Sequence, residues 1–276
     1  MQSDNVRCTK VSIHNSTAEE FLKTAGEYDL IFLDPARRDS HGGKVFRLED
    51  CTPNVVELLP TLLRHGKQVM LKLSPMLDLT QAVRELSDIV WDVHVVAIKN
   101  EVKEVLLVSQ ARPASAISHQ MITCIDLAEP EKAFRFSREE EQAAVASYQP
   151  SAISQVRPAS AFSYLYEPSA AILKAGAYKL VGARYGLQKL DANTHLYCSD
   201  RLVTDFPGRK WKIEQVVRDR KDLPAELKQA NVLTRNYPMT PEQLKKKLHL
   251  RDGGTAYLIG ARIQGKPTVL RATLIP

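Results

Sequence analysis

Residues 28–39 read YDLIFLDPARRD. The run Leu30–Leu33 is uniformly apolar, which suits a strand covered on both faces. It ends in a carboxylate, a proline and two cations. In a parallel α/β sheet, ligands bind outside the carboxyl ends of the strands, so polar residues that close an apolar strand stand at the site. Pro35 holds the chain rigid and removes a backbone donor. Asp34 and the carbonyls after it are thereby left as acceptors for a planar ligand edge.

Around this stretch, residues 1–112 alternate strand and helix patterns. Val6–Ile13 (VRCTKVSI) predicts a strand, and Thr17 with its neighbours caps a helix over Ala18–Ala25. Thr52 as N-cap and Pro53 at the first helical position predict a helix through Leu63. Gln68–Leu73 is the next strand and Leu79–Leu86 the next helix. Val93–Ile98 and Val105–Val108 are separated only by Lys99–Glu104, too short for a crossover helix, so they form an antiparallel pair. The implied fold class is α/β, with one reversed strand closing a partial Rossmann-like sheet.

The Ser/Ala/Pro-rich stretch from Ala111 (ARPASAIS) marks a boundary. Beyond it, Ile122–Leu127, helices over Arg138–Ser147 and Ser169–Arg184, and a strand around His195–Cys198 predict a small α+β domain over residues 113–208. In that domain SYLYEP (residues 163–168) reads as core leading into a helix start. Residues 209–276 form a second α+β domain, with strands Trp211–Val217, Asn231–Thr234, Tyr257–Ile263 and Val269–Leu274 and a helix Pro241–Leu248 entered from Thr240.

The 276 residues are 44% hydrophobic and 25% charged, an ordinary globular balance. No apolar run approaches the ~20 residues that cross a bilayer, and the polar start lacks a signal-peptide core, which predicts a cytoplasmic protein. Cys8, Cys51, Cys124 and Cys198 lack the spacing of a zinc site and read as reduced, partly buried apolar residues; no metal is expected. Net charge is +6, but residues 208–276 carry 15 Lys+Arg against 6 Asp+Glu (+9), while residues 1–207 carry 23 against 26 (−3). A basic segment of this kind can meet nucleic acid or simply be a solvated surface.

The strand end LDPAR, the second strand end KLSP at Lys72–Pro75 and the closing hairpin resemble the C-terminal half of a class I S-adenosylmethionine-dependent methyltransferase. The whole order, including RNYPMTPEQLKKKL at residues 235–248, is similar to bacterial methyltransferases that append a ferredoxin-like domain and a THUMP-like domain. The resemblance implies S-adenosyl-L-methionine as cofactor and an RNA substrate, tRNA or rRNA. It places Asp34, Pro35, Ala36 and Arg37 at the catalytic rim, and His14, Asn15 and Asp34 beside the cofactor. Arg38, Lys72, Ser74, Arg235, Lys245, Lys246, Lys247 and Arg251 fall on the RNA side.

Competing assignments stand beside these: Arg37 and Arg38 pairing with Glu49 and Asp50, a paired or snorkelling Lys72, and a solvated helix face for the three lysines. Arg37 stands where base-stacking relatives have an aromatic residue. Ser74 stands where pyrimidine C5-methylating relatives have a cysteine nucleophile, so covalent addition to a pyrimidine is not expected.

In the family, a Gly-rich turn after the first strand and an acid ending the second hold the cofactor. The Gly-Gly pairs at Gly42 and Gly253 follow no apolar strand leading into a helix. The expectation is a chain without the first two strands, either a fragment or one completed by another chain, that does not bind the cofactor alone. With the family's strand order 3-2-1-4-5-7-6, Val6–Ile13 would have no partner and Leu30–Leu33 would become an apolar edge. The alternatives to an RNA methyltransferase are a non-catalytic RNA-binding adaptor on a degenerate scaffold and a methyltransferase acting on a protein or small molecule.

Overall fold

The computed structural model describes residues 11–36, 47–86, 90–110, 120–147 and 162–276. The chain divides into two units, one of residues 1–91 and 107–117, the other of residues 92–106 and 118–276.

The first unit is built on a strand–helix–strand crossover. Helix α1 (Ala18–Leu22) starts from Thr17, whose hydroxyl accepts from Glu20 N at 3.2 Å while the Glu20 carboxylate accepts from Thr17 N. Strand β1 (Tyr28–Leu33) runs parallel to β2 (Gly66–Leu73), with Leu30 opposite Gln68 and Leu33 opposite Leu71. Parallel neighbours need a covered crossover, and α2 (Val55–His65) supplies it. Its residues Val55, Leu58, Leu59 and Leu62 recur at helical spacing and are buried, each worth about 2 kcal/mol of apolar transfer. Helix α3 (Leu79–Glu85) follows β2, capped by Asp78, whose carboxylate accepts from Gln81 N at 2.8 Å.

Two expectations fail here. The N-cap of α2 is Asn54, not Thr52: Asn54 Oδ1 accepts from Val56 N and Glu57 N, and the Thr52–Pro53 peptide is cis. Thr52 is already engaged in a two-way backbone bridge with Ala36. Residues 11–13 are not in a strand, and Val11 and Ile13 are exposed; among the described residues no ladder takes up their backbone. The remainder of that predicted strand lies outside the described residues.

In the sheet, β1 and β2 are followed by β4 (Glu101–Gln110), of which residues 107–110 fall in the first unit and 101–106 in the second. The second unit holds residues 101–106 of β4, β3 (Val90–Ile98) from residue 92 on, β5 (Met121–Asp126) and β6 (Phe134–Ser137), in the order β4-β3-β5-β6. Only Lys99 and Asn100 separate β3 from β4, both at positive φ, 50° and 62°, as a tight type I′ hairpin requires. The Asp126 carboxylate accepts from both turn amides, at 3.0 and 2.5 Å. The reversed strand is thus present, and β5, read from sequence as part of the next domain, pairs parallel with β3.

The second unit also holds α4 (Arg138–Ser147), α5 (Ala170–Ala175) and α6 (Leu180–Arg184). The predicted helix over Ser169–Arg184 is two helices, broken at Gly176, whose φ of 84° is left-handed and whose N–H donates to Ile172 O. SYLYEP forms a buried strand, β7 (Tyr164–Pro168), and leads through the N-cap Ser169 straight into α5, so it is core running into a helix start as read from sequence. It sits in a seven-stranded sheet ordered β11-β12-β13-β10-β7-β9-β8. The other members are β8 (Gln188–Asp191), β9 (Thr194–Ser199), β10 (Gly208–Val217), β11 (Asn231–Arg235), β12 (Ala256–Ile263) and β13 (Lys266–Ile275).

This sheet curls, so that Gln264 N donates to Leu190 O and Thr194 Oγ1 to Arg262 O, joining its β8–β9 end to the β12–β13 turn. Trp211, Leu165, Leu196, Ile259 and Leu270 fill the interior of the curl. Helix α7 (Pro241–Lys247) starts at Thr240, as the sequence predicts, and buries Leu244 and Leu248 against Val232, Leu258 and Val269.

Candidate functional site

The parallel register that sets Leu33 opposite Leu71 brings the next residues, Asp34 and Lys72, together at the carboxyl ends of β1 and β2. Lys72 Nζ donates to Asp34 Oδ2 at 2.6 Å, and the Asp34 side chain is 53% exposed. Asp34 is therefore an accessible strand-terminal carboxylate with a cation held against one of its oxygens. Pro35 behind it is buried, and Ala36 is locked by two hydrogen bonds with Thr52, N to O at 2.9 Å and O from N at 3.0 Å. The bridge fixes the direction in which the chain leaves β1, and it engages the Ala36 carbonyl that the sequence left available to a ligand.

Ser74 closes β2. It is buried, its Oγ accepts from Met76 N at 3.1 Å and its carbonyl accepts from Leu77 N. This hydroxyl therefore builds the turn into α3, and the exposed side chain there is Met76. His14 packs its ring on Phe21 of α1, with centroids 4.9 Å apart, and Asn15 is exposed; no hydrogen bond joins either to Asp34. Arg37 and Arg38 lie outside the described residues. Glu49, a candidate partner for them, pairs with Arg47 at 2.9 Å.

The basic residues of the last segment divide by partner. Arg235 pairs with Glu167, whose carboxylate is 3% exposed and also holds Arg209 at 2.5 Å. The Arg209 guanidinium lies 5.5 Å from the centre of the Trp211 ring. Lys245 pairs with Asp252 at 3.0 Å. Lys246, Lys247 and Arg251 are exposed. Sequence reasoning missed the Glu167–Arg209–Arg235 cluster, because its members lie on β7, β10 and β11 and only the curled sheet joins them.

No glycine among the described residues follows a strand and opens a helix, so these residues do not by themselves form a cradle for S-adenosylmethionine. What they offer is a rim: one acceptor, one lysine and a rigid exit. Among the described residues, Cys51, Cys124 and Cys198 are buried, and no helix is long and apolar enough to cross a membrane.

Comparison with known proteins agrees with this architecture. Residues 164–207 match the family model of a ferredoxin-like domain, and residues 208–273 that of a THUMP domain-like family. Two proteins from strains of Mycobacterium tuberculosis, each named an uncharacterized S-adenosylmethionine-dependent methyltransferase, are 26% identical over 239 residues, covering 85% of this chain and 60% of theirs. The crystal structure of a "putative methyltransferase" from Porphyromonas gingivalis W83 superposes with a TM-score of 0.75 at 34% identity, covering 90% of this chain and 60% of that one. The chain thus spans 60% of the length of the relatives it matches. It carries a ferredoxin-like domain followed by a THUMP-like domain and, along most of its length, is similar to S-adenosylmethionine-dependent methyltransferases.

Proposed function

We propose that the chain supplies the substrate-facing strand ends and the RNA-docking domains of a methyltransferase that modifies RNA, tRNA or rRNA, with S-adenosylmethionine as methyl donor. The reading rests on one observation above the others: a half-exposed carboxylate, Asp34, stands at the carboxyl end of a parallel strand with Lys72 beside it. The names of the relatives and the THUMP-like match support the reaction class and the substrate class. In this reading Asp34 accepts a hydrogen bond from an N–H or O–H of the target nucleotide. Pro35 and Ala36 hold that carboxylate in place, so the chain's contribution is positioning rather than proton transfer. Arg37 and Arg38 take the substrate phosphates, and His14 and Asn15 face the donor's adenosine.

The test uses the full-length protein with donor labelled in the methyl group and total cellular RNA. Label is expected in RNA with the native protein and lost on Asp34→Ala with folding intact. Label that fails to enter RNA, or a fully active Asp34→Ala protein, would overturn the reading.

A further inference from the structure

A groove of about 500 Å3 opens in the THUMP-like domain between the end of β10, the loop before α7, α7 itself and the start of β13. Val216, Tyr237 and Met239 contribute to its wall, and Arg218, Lys247 and Lys266 line it from three separate elements. No carboxylate lines it. None of the three cationic side chains takes part in an ion pair among the described residues. The Asp222 carboxylate accepts from the amides of Arg218 and Asp219 and feels the Arg218 charge, but forms no ion pair with its guanidinium. This sets the groove apart from its surroundings, where Lys245 and Arg235 are neutralised by Asp252 and Glu167. Tyr237 is half-buried, its ring laid over Gly260, where an added Cβ would stand 3.0 Å from the ring. The absence of a side chain at residue 260 is what lets the ring approach β12 this closely.

Three cations outside any ion pair among the described residues, around an apolar, aromatic-walled groove, define a ligand with a planar apolar body and more than one negative charge. The volume falls in the range of small-molecule sites, about 300–1,000 Å3, large enough for one base with its ribose and too small for a duplex. Bases in a paired A-form helix are not presented to a groove of this kind, whereas unpaired bases splay out and stack on aromatic side chains. We infer that this groove binds a single unpaired nucleotide of the RNA substrate, its base against Tyr237 and its flanking phosphates on Arg218, Lys247 and Lys266. The inference rests on the RNA reading above and adds the place and strandedness of contact.

The experiment measures binding of the full-length protein to a fluorescently labelled single-stranded RNA and to the same strand annealed to its complement, across a salt series. Single-stranded RNA is expected to bind more tightly than duplex. Lys247→Ala combined with Lys266→Ala, both exposed, is expected to weaken single-strand binding about tenfold and to flatten its logarithmic salt dependence by about 1.4, for two phosphates at about 0.7 each. Tyr237→Leu is expected to weaken single-strand binding and leave duplex binding unchanged, with circular dichroism reporting the fold. Variants that bind single-stranded RNA as tightly as the native protein would overturn the groove and leave the RNA reading standing. A native protein that binds neither RNA would overturn both. Preferential binding of a polyglutamate peptide that competes with RNA would reassign the groove to an acidic protein partner.

Discussion

Lys72 and Asp34 meet because β1 and β2 are parallel, with Leu33 at the end of β1 opposite Leu71, so the 2.6 Å pair is a product of sheet pairing across 38 positions of sequence. Exposed pairs of this kind contribute about 0–1 kcal/mol. Asp34→Ala and Lys72→Ala are therefore expected to shift a urea unfolding midpoint only slightly. The same Asp34→Ala change in the full-length protein should lower methyl transfer about 100-fold, the scale for loss of one preorganised polar contact. Parallel denaturation and turnover measurements separate the two effects.

Glu167 behaves differently. Its carboxylate is buried and binds two guanidinium groups, so removing it leaves two cations facing each other in a confined space. Glu167→Ala is expected to cost about 2–3 kcal/mol, less than for a wholly buried pair because Arg209 and Arg235 are each about a third exposed. Arg235→Ala should likewise lower thermal stability. Differential scanning calorimetry checks both, and an Arg235→Ala protein of native stability would count against a structural role for that residue.

His195 of β9 gives a pH signature. Its ring stacks on Tyr178 with centroids 3.9 Å apart, and its Nδ1 is buried without a hydrogen-bond partner. Burial first, then the charges of Lys189 and Lys179, lower its pKa from 6.5 to about 4. Between these values the unfolded chain binds a proton that the folded chain does not, so stability rises with pH through the window and is lost as pH falls from about 6.5 to about 4. The contribution is on the order of 1–3 kcal/mol. His195→Phe, which needs no partner for Nδ1, is expected to remove this slope in guanidinium titrations at successive pH values.

Strand β1 presents Tyr28, Leu30 and Phe32 on one face, all exposed, and among the described residues stands at the end of its sheet order. Exposed apolar strands at a sheet edge template association. Leu30→Lys with Phe32→Lys is expected to raise the concentration at which this 276-residue chain stays monodisperse, read by light scattering, while circular dichroism stays unchanged.

Most elements of this fold were legible because their signals are local. The α3 stretch carries its own N-cap at Asp78, and α7 carries Thr240, Pro241 and Gln243 as a capping box. The short gap between β3 and β4 compels a hairpin, and Asp34 was found because an apolar run stops there. What failed had non-local causes. Thr52 is a plausible cap until the Ala36 bridge engages its backbone. Ser169–Arg184 reads as one helix until Gly176 takes a left-handed conformation. Val11–Ile13 has strand composition but, among the described residues, no ladder to join.

The sequence by itself determined the alternation of elements, the strand-terminal position of Asp34, and the concentration of positive charge in residues 208–276. Periodicity, caps and composition are properties of short stretches, and they survive without tertiary context. Only the folded structure decided which charges are spent and which remain available. Arg235 meets Glu167 across 68 residues and Lys72 meets Asp34 across 38, while Arg218, Lys247 and Lys266 gather around one groove without a carboxylate. Ion pairing depends on distances of a few ångströms between side chains from separate strands, and those distances are set by sheet order and curl, which no single stretch of sequence encodes.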